Sequence, residues 1–268
     1  MIASSGISSL WVEPLTDMAD QLRCILAESL AAAKQEIVVF FRADDVGVPS
    51  RSFAHLVKLF RGHTVPLTLA VVPAWLTCSR WQQLADSCGG NSGLWAWIQH
   101  GWRHCNHEKD GKKQEFGPSR SREAKRADLL KGFQRLSSLI NEELHRIFTP
   151  PWNRCDQETL AALSSLGYRA ISASGSPGPL WQGNILHLPV TVDLHTRKET
   201  SAEEGWNGLW CEMRHSMQAG FCGFMIHHQR MNRAAFRFLD FLLETLKQWQ
   251  HVRIVHLGTL GEEKQRQR

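Results

Sequence analysis

The stretch "QHGWRHCNH", residues 99–107, puts three histidines into nine positions directly behind the apolar run "GLWAWI". His100 and His104 are four apart, and His104 and His107 are three apart. One helical turn or one tight loop can therefore aim either pair at a single point. Imidazoles converging on a point are a metal-binding device, but a chain with 13 His produces close pairs without one. A polar loop that happens to be rich in imidazole stays open on this stretch alone. Four more stretches carry chemistry: "FRADDVG" with Asp44 and Asp45, "FTPPWNR" with Trp152 and Arg154, "VDLH" with Asp193 and His195, and "GFMIHH" with His227 and His228. Adjacent strand residues face opposite sides, so both members of Asp44/Asp45 can serve one site only if the strand ends or bulges there. The bland readings are a helix cap near Ser50, one core and one surface histidine, and a rigid proline turn.

What must position these residues is a set of alternating elements. Apolar runs predict strands over 36–42, 65–72, 94–100, 146–149, 168–172, 185–192, 223–227 and 252–256. Amphipathic stretches between them predict helices over 17–34, 51–61, 79–87, 121–143, 156–166, 202–219 and 232–249. Asp156 reads as an N-cap and Gly167 as the stop of the same helix. Strands alternating with helices through short loops mean parallel βα units. Seven or eight such units predict an α/β barrel as a single domain over 1–268, with its core at about 36–258. Barrel chemistry sits at the C-terminal ends of the strands. All five stretches fall there, in separate units.

Composition narrows the classes. With 43% hydrophobic and 21% charged residues the chain can bury a sizeable core as a globular protein. The net charge of +5 comes largely from "KKQEFGPSRSREAKR" and "EEKQRQR", which read as a solvated helix face and a frayed end. Such a balance suits phosphate or an anionic glycan, and no nucleic-acid module accompanies it, so no nucleic-acid partner is expected. Seven cysteines without a CxxC pair argue against a disulfide framework and are read as packing in a reducing compartment. The start "MIASSGISSLWVEP" has no signal-peptide pattern, and no apolar run reaches the ~18 residues of a membrane span. A cytoplasmic location is expected. His187 and His256, inside strand patterns, read as structural. Eleven Trp against one Tyr is unusual; Trp75, Trp102, Trp152 and Trp206 lie near predicted loops, where they either stack on sugar faces or pack the core and cover the barrel mouth.

Taken together, these motifs resemble the polysaccharide deacetylase (NodB-homology) superfamily, carbohydrate esterase family 4, in a divergent branch. The resemblance spans about 36–258. "FRADDVG" resembles its first motif, "HGWRH" its second, "FTPPWNR" its third and "GFMIHH" its fifth, in the family's order. It implies a distorted (β/α)7 barrel and a divalent metal, usually Zn2+, held by Asp45, His100 and His104. It further implies Asp44 as general base and His227 as general acid in removing an N-acetyl or other small acyl group from a sugar, glycan or glycolipid precursor. Two imidazoles and one carboxylate would leave an open coordination position, as catalysis requires. Two departures stand out. The third motif's Arg, which contacts the base Asp, is replaced by Phe148 or Thr149, leaving Arg42, Arg103 or Arg154 as substitutes. The fourth motif's Asp-Trp is reduced to Asp193 with no Trp after it. Arg42, His107, Trp152, Arg154, Asp193 and His228 are the candidate supporting or substrate-binding residues. Alternatives are a non-catalytic glycan-binding protein on the same fold and a metallohydrolase of another amide or ester.

Overall fold

β1 (Ile37–Val46) is the axis of the sheet because its alternate residues are apolar on both faces. Val39, Phe41 and Ala43 pack outward against helices, while Phe40 packs inward with Ala70, Ile98, Ile147 and Met225. Burial on both faces is what a parallel strand covered by helices requires. The structure, a computed structural model, describes residues 6–13, 15–32, 36–90, 92–140, 144–175 and 185–266. Around β1 lie β2 (Leu67–Val71), β3 (Trp95–His100), β4 (Leu144–Thr149), β5 (Ala170–Ile171), β6 (Leu186–His187), β7 (Val192–Asp193), β8 (Phe221–Ile226) and β9 (Val252–Ile254). The order is β6-β5-β4-β3-β2-β1-β8-β7, with β9 also on β1, and every pairing is parallel. The sheet curls into the distorted (β/α)7 barrel expected.

Outside it pack α2 (Met18–Ala32), α3 (Arg51–His63), α4 (Cys78–Cys88), α5 (Arg122–Ile140), α6 (Gln157–Ser165), α7 (Ala202–Gln218) and α8 (Arg233–Lys247). Asp156 caps α6 by accepting from the Thr159 amide at 2.9 Å, and Gly167 follows with a φ of 76°. The ends of two expected helices, 33–34 and 141–143, lie outside the described residues. No helix among the described residues is long and apolar enough to cross a membrane.

Two expectations are corrected. The strand expected over 185–192 is two strands, β6 on β5 and β7 on β8. Pro189 stands between them and has no N–H to continue a ladder. The run "KKQEFGPSRSREAKR" is not a solvated helix face: its first half is loop, and Glu115, Phe116 and Lys125 are buried. Two unexpected helices complete the fold, α1 (Ser9–Val12) and α9 (Leu257–Arg266). Trp11 of α1 is buried and donates from Nε1 to the Leu194 carbonyl at 2.7 Å, strapping the segment after β7. Leu257 and Leu260 of α9 complete the inner core.

Candidate active site

The two adjacent aspartates share one cleft because β1 bulges. Ala43 pairs with Leu69 but Val46 with Val71, so two residues of β1 oppose one of β2. Asp45 takes up the extra length at a φ of 59°, a left-handed conformation that Asp tolerates better than most residues. Asp44, two positions after Arg42, lies on the same strand face. Arg42 is fully buried and grips it with both arms, Nε to Oδ1 at 2.7 Å and Nη2 to Oδ2 at 2.8 Å. The guanidinium is itself fixed by the Ser172 carbonyl and hydroxyl, each at 2.8 Å, and by Asn153 Oδ1 at 2.7 Å. Of the three arginines considered beside the base, Arg42 is the one in contact. Arg154 lines the cleft, and Arg103 lies 5.9 Å from the Trp102 ring. Burial pushes the Asp44 carboxyl up, but the charges of Arg42, His100 and His227 outweigh it and hold it below its ordinary range.

His100 closes β3, and its Nδ1 lies 3.0 Å from the Thr149 carbonyl. A carbonyl only accepts, so Nδ1 carries the proton and Nε2 is presented to the cleft. The next three residues form a tight loop rather than a helical turn. Gly101 has a φ of 59°, and a Cβ there would sit 2.2 Å from Glu115 Oε2 and 2.5 Å from Pro151 Cγ. The buried Glu115 carboxylate holds the loop by accepting from the amides of Trp102 at 3.0 Å and Arg103 at 2.6 Å. His104 follows at a φ of 60°, its ring 5.9 Å from that of Trp75 and 4.4 Å from that of Trp152. Nε2 of His100 and Nε2 of His104 each come within 3.2 Å of Asp45 Oδ1.

This trio fits a metal ion. Its ligand atoms lie within 4.8 Å of one another. An ion ~2.0–2.2 Å from tetrahedral ligands separates them by roughly 3.3–3.5 Å, close to the spacing to Asp45 Oδ1. That oxygen is buried and has no hydrogen-bond partner among the described residues. With the His100 proton on Nδ1, a lone pair faces it across a short gap, and a cation between them turns repulsion into attraction. Burial raises the Asp45 carboxyl, yet the imidazoles of His100, His227 and His104 around it bring it well below the carboxylate range.

β8 ends at Ile226, which separates the two histidines after it. His227 lines the cleft, with Nε2 3.8 Å from Asp45 Oδ2. His228 is buried, its ring edge-on to Phe53 at 5.6 Å, and burial lowers its pKa to about 4. Asp193 lines the cleft but spends its carboxylate on the amides of His195 and Thr196 and on the Thr196 hydroxyl. The neighbour of His227 is instead His195, whose Nδ1 accepts from the His227 amide at 3.2 Å. His107 is exposed in the loop, its amide bonded to Gln114. Trp152 lines the cleft, whereas Trp102 and Trp206 are core. Cys88 and Cys222 are buried, but Cys24, Cys78, Cys105 and Cys211 are exposed, so packing does not account for all seven. Sequence reasoning missed Glu115, Ser172, Asn153 and Gln229, which donates to the Asp45 carbonyl at 2.7 Å. Only Asn153 lay in a quoted motif.

The cleft measures about 1450 Å³ and is lined from the end of β1 and from the ends and following segments of β3, β4, β5, β6, β7 and β8. No protein-family profile and no curated protein sequence matches the chain. Solved structures do. A Mycobacterium smegmatis protein described as a polysaccharide deacetylase superposes with a TM-score of 0.64 at 15% identity, over 87% of this chain and 92% of that one. A Pseudomonas aeruginosa protein described likewise gives 0.64 at 13%, over 88% and 93%. A Bacillus anthracis pseudoenzyme of carbohydrate esterase family 4, in a mutant with restored activity, gives 0.55 at 13%, over 85% and 68%. Curled parallel barrel, bulged β1 and these superpositions lead to one assignment: the chain has the fold of the NodB-type polysaccharide deacetylases of carbohydrate esterase family 4.

Proposed function

We propose that this chain is a divalent-metal-dependent hydrolase that removes an N-acetyl or other small acyl group from a sugar, glycan or glycolipid precursor. The observation that carries the reading is the convergence of Asp44, the Asp45–His100–His104 trio and His227 in one cleft. Two imidazoles and a carboxylate suit Zn2+ and leave a coordination position open. The ion, when bound, supplies a Lewis acid for an amide carbonyl and an attacking water. Asp44, held ionised and fixed in direction by Arg42, would accept a proton from a water in the cleft. His227 gives a proton to the departing amine, which leaves only when protonated. Trp152 offers a ring face to a sugar beside the trio. A cleft above the ~300–1,000 Å³ typical of small-ligand pockets has room for more than one sugar.

A second reading, a glycan binder without turnover, draws on the pseudoenzyme among the structural neighbours. Asp44 separates the two, because a binder needs no base beside the trio. The test is acetate release from a panel of N-acetylated sugars by zinc-loaded protein. Asp44→Asn preserves size and one of the two acceptors that face Arg42 but removes the base, so turnover should fall by about 10² or more with zinc retained. Unchanged turnover would put the base elsewhere. Sugar binding with no acetate from any substrate would favour the binder.

A further inference from the structure

The charges around the cleft are unevenly paired. Every carboxylate that lines it is engaged. Asp44 is held by Arg42, and Asp45 faces His100 and His104 within the trio. Glu199 and Glu212 are held by Arg197, and Asp193 by Thr196 and two amides. Lys112, Lys113, Arg154, Lys198 and Arg230 also line the cleft, and among the described residues none has a carboxylate partner. They come from four separate segments, after β3, β4, β7 and β8. The lining thus gathers, from four crossovers around one opening, five cations with no carboxylate at ion-pair distance among the described residues.

Cations without a carboxylate partner on a shared concave rim (Arg230 donates only to the Gly6 carbonyl, at 3.0 Å) raise the local concentration of anions and, at contact, form charge-assisted hydrogen bonds with them. Arginine offers a fork to a carboxylate or phosphate, and lysine a mobile point charge. We propose that the substrate is an acyl-amino sugar bearing an anionic substituent, phosphate or carboxylate, which these five side chains bind while the acyl group reaches the trio. The inference rests on the hydrolase reading for the acyl group, but the anion preference has its own readout.

The experiment compares N-acetylglucosamine, its 1-phosphate and an N-acetylated oligosaccharide containing a uronate. Each is titrated calorimetrically into the zinc-loaded wild-type chain, and acetate release is followed in parallel. The comparison is repeated with K112A/K113A and with R154M/K198A, which leave the trio, Asp44 and His227 in place. At least one anionic sugar should bind about tenfold or more tighter than the neutral one, and each double variant should erase most of that margin. The margin should shrink as salt rises from ~20 to ~500 mM. Tighter binding of the 1-phosphate or of the uronate identifies which anion the rim takes. Equal binding of neutral and anionic sugars, or a margin untouched by both double variants, overturns the inference. Anion-selective binding without acetate release would keep it and sink the hydrolase reading instead.

Discussion

At the scale of single residues, the account turns on which side chains can move protons. His227 and His228 are neighbours in sequence but opposites in setting, one in the cleft and one behind it against Phe53. His227→Ala should therefore abolish most turnover, by about 10² or more, and leave zinc content unchanged. His228→Ala should keep substantial turnover but cost about 1–3 kcal/mol of stability, seen as a Tm lower by several degrees. Steady-state kinetics and melting curves on both variants check this, and the reverse ranking would move the acid to His228. The pairing of Arg42 with Asp44 was within reach of the sequence, since residues two apart on a strand share a face. Glu115 was not: a lone Glu in a charge run gives no sign that it will be buried on two amides.

At the scale of elements, a bulge and a loop turn ordinary strand ends into a site. Alternation in "FRADDVG" says that Asp44 and Asp45 diverge, and only the extra residue in β1 brings them together. Which residue bulges is a property of pairing with β2, not of local sequence. The loop after β3 is as demanding, because Gly101 is left-handed and pressed against Glu115 and Pro151. Gly101→Ala should push His104 out of register with His100. Zinc affinity should fall about tenfold or more, as when a residue supporting a metal ligand is lost, while the far-ultraviolet circular dichroism stays that of the wild type. Wild-type affinity in a competition titration would show that the loop tolerates the change. Element spacing was legible because helix and strand periods differ. The break at Pro189 was written in the sequence too, but within an apolar run it was outweighed by its neighbours.

At the scale of the whole molecule, neutral histidines that are partly or fully buried set the acid limit of stability. His256 is lowered to about 4, first by burial and then by His145, and its Nδ1 accepts from the Thr259 amide at 3.1 Å at the start of α9. His228 is lowered to about 4 as well. A histidine titrating near 6.5 when unfolded and near 4 when folded binds more protons in the unfolded chain between those values. Stability is thus full above about 6.5 and declines as pH falls toward 4. In metal-stripped protein the Tm should drop across that window, and His256→Asn, which keeps a capping acceptor, should flatten part of the drop. A Tm independent of pH there would contradict the burial of these rings. The barrel organises all of this around one point, where Asp45, His100 and His104 meet. The most direct measurement of that claim is calorimetric titration of the metal-stripped chain with Zn2+, beside the H100A/H104A variant. The account predicts about one saturable site per chain in the wild type, absent from the variant although it remains folded. Equal binding by both proteins, or no saturable binding by either, would contradict it.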